Sequence, residues 1–244
     1  MKLAIYGASG KMGKELVALA KNDEKINLIY EFTSKNNNFD KLFQADLIID
    51  FSTPVASKQL LMKASLLEKK PILLVGTTGL NEEYFELAKN YNASFFYSSN
   101  TSLGVALLNE LVKKAATMLK DFDVEILEMH HNQKVDAPSG TALTLANTAK
   151  TYLSKARNEQ VNLVFNRTEK RNKNEIGMAS LRGGNVAGYH NVGFYSNDES
   201  VQLIHNANSR AIFAIGAIKI AKWLINQKTA HYTMGDFVNY LMQK

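Results

Sequence analysis

The chain has 244 residues, 45% of them apolar, no cysteine, and a formal charge of +6 from 29 Lys and Arg against 23 Asp and Glu. That apolar share can fill one large core or two modest ones. The absence of cysteine excludes a disulfide framework, a thiolate metal site and a cysteine nucleophile, and makes a reducing, cytoplasmic setting the expectation. The basic excess is scattered, and its densest run, from Arg167 to Lys173, has no interleaved aromatic, so it reads as a solvated hairpin tip and not as a nucleic-acid patch.

Met1 to Gly7 reaches glycine too soon for an export signal. The most apolar late stretch, from Ala211 to Ala221, is broken by Lys219 and falls short of the roughly 18 residues a membrane span needs. Neither export nor a membrane partner is expected. Over roughly the first 100 residues, short apolar runs alternate with amphipathic stretches, the pattern of strand and crossover-helix units. Strands are expected at Lys2–Tyr6, 27–31, 47–51, Ile72–Val75 and 94–97, with helices between them that include Lys11–Lys21 and 55–68. Their Val, Ile and Leu content suits a parallel sheet covered on both faces.

Gly7, Ala8, Ser9, Gly10, Lys11, Met12 and Gly13 follow the first strand and open the first helix. Close backbone approach and unpaired helix N–H groups make such a turn a pyrophosphate site, although the G-x-x-G-x-x-G spacing also serves as a plain tight connection. Glu31, about 20 positions on at the end of the second strand, is placed to accept both ribose hydroxyls. The two features together point to a nicotinamide dinucleotide. Gly76, Thr77, Thr78 and Gly79, then Ser98, Ser99, Asn100 and Thr101, follow the fourth and fifth strands at the ligand-binding edge of such sheets. They line the nicotinamide half or act only as local caps, as Asn81 does for a helix.

After residue 101 comes an apolar-periodic helix over 103–119, the segment Asp123–His130 and a loop carrying Pro138. Strand-like runs at 163–166, 178–182, 192–195 and 201–205 follow, with one substantial helix, 141–155, before them; 210–227 returns to helical spacing. The fold class expected is α/β: a Rossmann-like parallel-sheet domain plus an α+β domain with a mixed or antiparallel sheet.

The string Glu128-Met129-His130-His131-Asn132-Gln133-Lys134-Val135-Asp136-Ala137-Pro138-Ser139-Gly140-Thr141 concentrates titratable groups just before a helix. Ser139, Gly140 and Thr141 at that helix start offer unpaired N–H groups for a carboxylate, and Lys134 adds a fixed positive charge. Singly, each residue has an ordinary reading: strand-edge histidines, a solvated lysine, an N-cap serine. A metal held by His130, His131 and Asp136 lacks the spacing and a clear third ligand, and no metal is expected.

With Gly7 to Gly13, Gly76 to Gly79 and Leu181-Arg182-Gly183-Gly184, this string resembles the dihydrodipicolinate reductase (4-hydroxy-tetrahydrodipicolinate reductase) family over nearly the whole chain. The resemblance implies a dinucleotide-binding domain of 1–101 and 211–244, a substrate-binding and oligomerisation domain of 102–210, and a homotetramer. It implies reduction, by NADH or NADPH, of the condensation product of aspartate semialdehyde and pyruvate, in diaminopimelate and lysine biosynthesis. On the same resemblance His130 is the acid/base residue and Lys134 its partner, His131, Ser139, Gly140 and Thr141 hold substrate carboxylates, and Arg210 lies near the cofactor. A free histidine pKa of ~6.5 suits proton delivery better than a lysine's ~10.4, which leaves Lys134 the electrostatic role. Many relatives follow the ribose-binding acid with arginine; here Phe32 follows Glu31, so NADH preference or dual use with NADPH is expected, Lys11 and Lys35 compensating in part. The alternatives are another small-substrate nicotinamide dehydrogenase and a non-catalytic dinucleotide sensor.

Overall fold

Five short apolar runs and a two-residue strand late in the chain pair into a parallel sheet. In the computed structural model, whose described residues are 1–243, the chain begins with β1 (Lys2–Tyr6), α1 (Lys11–Lys21), β2 (Asn27–Phe32), α2 (Phe39–Leu42), β3 (Leu47–Asp50), α3 (Pro54–Ser65), β4 (Ile72–Val75), α4 (Glu82–Lys89), β5 (Phe95–Tyr97) and α5 (Leu103–Met118). It continues with β6 (Asp123–His130), α6 (Gly140–Arg157), β7 (Asn162–Phe165), β8 (Glu175–Arg182), β9 (Gly188–Tyr195), β10 (Ser200–Ala207), α7 (Ala211–Leu224), β11 (His231–Tyr232) and α8 (Met234–Met242). Two compact units result: Met1–Leu103 with the segment from Ala211 onward, and Gly104–Arg210.

In the first unit the strand order is β11-β5-β4-β3-β1-β2, parallel at every pairing. The order reverses at β1, and such a switch point leaves a crevice beyond the carboxyl ends of the strands. Strand alternation sends Leu3, Ile5, Leu47 and Ile49 to a core shared with α1, α7 and α8, and Ala4, Tyr6, Ile48 and Leu73 to a core with α3 and α4. Both faces are therefore covered, which is why these strands read as continuous apolar runs. Local chemistry starts the helices: Pro54 opens α3 behind a Thr53 N-cap, and the Asn81 side chain accepts from the Tyr84 N–H at the head of α4.

α7 lies against the turn after β5. The Thr101 hydroxyl donates to the Phe213 carbonyl at 2.7 Å, and a Cβ on residue 216 would stand 1.8 Å from the Thr101 carbonyl oxygen. Gly216→Ala must therefore push helix and turn apart. We expect a loss of about 1–3 kcal/mol, read as a lower Tm by calorimetry; an unchanged Tm would mean that the turn yields freely.

The second unit has a five-stranded mixed sheet, β10-β9-β6-β8-β7, with β6 antiparallel to β9 and parallel to β8. α5 and α6 cover one face, burying Leu108, Val112, Leu145 and Ala149 on Val124, Ile126, Ile176 and Phe194. β6 alternates strictly, so Val124, Ile126, Glu128 and His130 are all buried. The last two are polar, an exception that marks a site. β8 and β9 start three and four residues before the apolar runs at 178–182 and 192–195. Their leading residues include Gly177, His190 and Asn191, which carry no apolar period and are held in the sheet by pairing with β6, and Gly188, which pairs with Ala207 of β10.

Candidate active site

In the first unit the switch-point crevice is a cavity of about 510 Å³ lined by Tyr6, Gly7, Ser9, Gly10, Phe32, Thr33, Ser34, Asn37, Phe39, Phe51, Ser52, Thr53, Ala56 and Gln59. Gly7 has φ +87°, and a Cβ there would meet the Phe51 carbonyl oxygen at 2.6 Å; a Cβ on Gly13 would meet the Gly7 carbonyl oxygen at 2.2 Å. Glycine at both positions lets strand, turn and helix close up. Gly10 caps α1 with no side-chain bond, and no acid occupies the first turn. The N–H groups of Lys11, Met12 and Gly13 are thus left to an anion, which fits a dinucleotide pyrophosphate. Ala8 is buried beneath the turn, while Ser9 and Lys11 are exposed beside it.

Glu31 does not line this cavity. Its carboxylate pairs with Lys21 of α1 at 2.7 Å. β2 runs one residue further than its apolar pattern, to Phe32, and the chain that reaches the crevice beyond it is Thr33 and Ser34. The other turns split by side-chain role. Thr77 is buried and its hydroxyl joins Asp50 Oδ1 (3.0 Å) and the Ser52 N–H (2.9 Å). Burial pushes the Asp50 carboxyl pKa up. Thr101 is spent on α7, and the Ser98 hydroxyl on the Asn100 carbonyl (2.6 Å). Gly76 makes room for the Phe51 ring, and Thr78 and Ser99 remain exposed.

The second unit gathers its polar residues around Glu128, which is fully buried. Glu128 Oε1 accepts from Arg182 Nη2 at 2.8 Å and from the Ser139 N–H at 3.3 Å, while Oε2 lies 2.5 Å from His130 Nδ1. Burial alone would raise the Glu128 pKa; the hydrogen bonds from Arg182, Ser180 and His130 outweigh it and hold the carboxyl below its usual range. His130 is displaced downward, chiefly by burial and against the pull of Glu128. His190 stands directly opposite Glu128 on β9, its ring 5.2 Å from that of His130, and burial lowers its pKa to about 4.

The loop after β6 carries the remaining expected residues. Lys134 Nζ pairs with Asp136 Oδ1 at 2.6 Å, and that pairing holds the Asp136 carboxyl down. Ser139 caps α6, accepting from the Ala142 N–H at 3.2 Å and lying 3.3 Å from His190 Nε2, so its hydroxyl is already engaged and buried. Gly140 is exposed, and a Cβ on it meets nothing within 4 Å. Arg210 directs Nη2 to His131 Nε2 at 2.7 Å. A guanidinium only donates, so that imidazole nitrogen accepts. Sequence reading did not single out His190: it lies 60 residues from His130 and meets it only through the β6–β9 pairing.

Glu128, His130 and His190 present donor atoms within 4.8 Å of one another. Both Glu128 oxygens are already committed, one of them to a guanidinium, whose charge opposes a dication there. This set therefore suits proton chemistry better than metal binding.

An open parallel sheet with a glycine turn at its switch point places the chain in the class of Rossmann-type dinucleotide-binding proteins. Comparison narrows the class. The profiles for the N-terminus and C-terminus of dihydrodipicolinate reductase match residues 1–101 and 104–238. The 4-hydroxy-tetrahydrodipicolinate reductase of Campylobacter jejuni subsp. jejuni serotype O:6 is 45% identical over 248 residues, spanning 98% of this chain and 99% of the relative. That of Wolinella succinogenes is 42% identical, spanning 96% and 98%. A solved structure of a dipicolinate-bound dihydrodipicolinate reductase from Paenisporosarcina sp. TG-14 shares the fold, with a TM-score of 0.75 at 24% identity over 96% of this chain and 97% of its own. The chain belongs to the dihydrodipicolinate reductase family.

Proposed function

We propose that this chain reduces 4-hydroxy-tetrahydrodipicolinate to tetrahydrodipicolinate with a nicotinamide dinucleotide, in diaminopimelate and lysine biosynthesis. The match of both family profiles carries this reading. The buried Glu128–His130 pair, with Lys134 beside it and the open first turn of α6, supplies chemistry suited to a small dicarboxylate. The dinucleotide, once bound, supplies the hydride. What the chain adds is charge and a proton: Lys134 and Arg210 with His131 meet the substrate's carboxylates, Gly140 and Thr141 present the positive end of α6, and Ser139 holds that end in place. His130 exchanges the proton through Nε2, and Lys134 stabilises negative charge that develops on the ring.

The segments 1–101 and 211–244 are assigned to the dinucleotide and 102–210 to substrate and to assembly as a homotetramer, where Leu181 and Ile204 are exposed apolar residues. Among the described residues no helix is long and apolar enough to cross a membrane; with no cysteine in the chain, the cytoplasm is the compartment proposed.

Cofactor choice follows from the cavity. With Glu31 on Lys21, among the described residues no carboxylate lines the crevice to repel a 2′-phosphate, and no arginine lines it to grip one. Dual use is proposed: kcat/KM for NADH and NADPH within about tenfold of each other, and Thr33→Glu shifting the ratio toward NADH by about 10–100-fold, a charged-contact effect of roughly 1.5–3 kcal/mol. An unmoved ratio would assign the ribose elsewhere. Titration with pyridine-2,6-dicarboxylate in the presence of NADH separates a reductase from a dinucleotide sensor: a sensor has no use for the diacid, and a failure to bind it would favour that alternative.

A further inference from the structure

Glu128 and His130, two apart on a strand, share one face, and here that face is buried. We propose that Glu128 is a positioning residue for His130: its carboxylate takes the Nδ1 hydrogen and so reserves Nε2 as the nitrogen that exchanges a proton with substrate. The inference rests on the reductase reading of the site.

The geometry dictates the tautomer. Glu128 Oε1 accepts from Arg182 Nη2 and the Ser139 N–H, and Arg182 is itself fixed by the carbonyl oxygens of Leu181 (2.7 Å) and Asp136 (2.6 Å). A carboxylate anchored in this way is ionised and only accepts, so the hydrogen at the 2.5 Å contact belongs to Nδ1. His130 Nε2 has no hydrogen-bond partner among the described residues. It lies over Gly188, where a Cβ would stand only 3.2 Å away, so glycine keeps that nitrogen clear.

Glu128 also sets when the ring holds its second proton. The charged and titratable groups around His130 are Lys134 and Arg182, whose charges oppose protonation, His190 on β9 with His205 of β10 behind it, and Asp136, which is committed to Lys134. Burial, Lys134 and Arg182 all act to lower the His130 pKa, and Glu128 is the opposing influence. Without that carboxylate the ring gives up its proton at lower pH.

Glu128→Gln tests this nearly isosterically. Its carbonyl oxygen can still accept from Arg182 and Ser139, but its NH₂ presents a donor to Nδ1 and stabilises the opposite tautomer. In ¹⁵N-histidine NMR of the protein without substrate, neutral wild-type His130 is expected as Nδ1–H and the variant as Nε2–H. Turnover should fall by about 10–100-fold with KM nearly constant, and the decline of kcat/KM with rising pH should move to lower pH. Glu128→Asp keeps the charge without the reach and should recover the pH profile in part. A wild-type Nε2–H tautomer, or a Glu128→Gln variant with an unchanged tautomer and pH profile, overturns the proposal. The wild-type spectrum needs neither substrate nor a foldable variant, so it decides the point independently of whether the reductase reading survives the turnover assay.

Discussion

Lys134→Ala and His130→Ala are each expected to lower turnover by about 100-fold or more while leaving the dissociation constant for NADH within about threefold of the wild type. The split follows from where the residues lie. Both belong to the unit Gly104–Arg210, whereas the glycine-turn cavity is built wholly from the other. Lys134 holds its charge close to Asp136, a carboxylate that a dianionic substrate can replace; a charge-assisted contact of this kind is worth roughly 1.5–3 kcal/mol. Removing His130 deletes the proposed proton donor and also strips the buried Glu128 of one of its partners, so a loss of stability is expected beside the loss of rate. Stopped-flow turnover together with NADH fluorescence titration measures both quantities. If both variants turned over as the wild type does, proton exchange would have to be assigned to other groups.

Gly13→Ala is expected to weaken NADH binding by about 100-fold or more and to leave the second unit folded. Its methyl would sit 2.2 Å from the Gly7 carbonyl oxygen and 2.6 Å from Ala8 Cα, both backbone atoms, so α1 must move off the turn whose N–H groups are proposed to hold the pyrophosphate. No rotamer relieves such a contact. Fluorescence titration of NADH, with far-UV dichroism as the control for folding, reads the effect; wild-type affinity would show that the pyrophosphate is not held at this turn.

Much of this was legible in the residues. The first strands and α1 follow from apolar runs and the glycine turn, and two of those strands, Lys2–Tyr6 and Ile72–Val75, have the limits their composition implies. The family string from Glu128 to Thr141 marked the loop that carries Lys134 and the cap that starts α6. Three things were hidden because they depend on pairing across the sheet or on which way a side chain turns. His190 faces Glu128 only through the β6–β9 register. Arg182 closes the buried cluster from β8; the strand-like run at 178–182 was legible, but not the partner its guanidinium finds on β6. Glu31 has the expected place in the chain for a ribose, and only the fold shows its carboxylate paired with Lys21 of α1 while Thr33 and Ser34 line the crevice. The tail hid β11 and α8 for a simpler reason: two strand residues are too few to show a period.

Enzymatic generation of the aspartate-semialdehyde and pyruvate condensation product in the cuvette, followed by addition of this protein with NADH or NADPH, tests the central claim most directly. Loss of absorbance at the reduced-nicotinamide band, at the expense of the condensation product and with comparable efficiency for the two cofactors, is the predicted result. No oxidation of either cofactor, under conditions in which both bind, would contradict it.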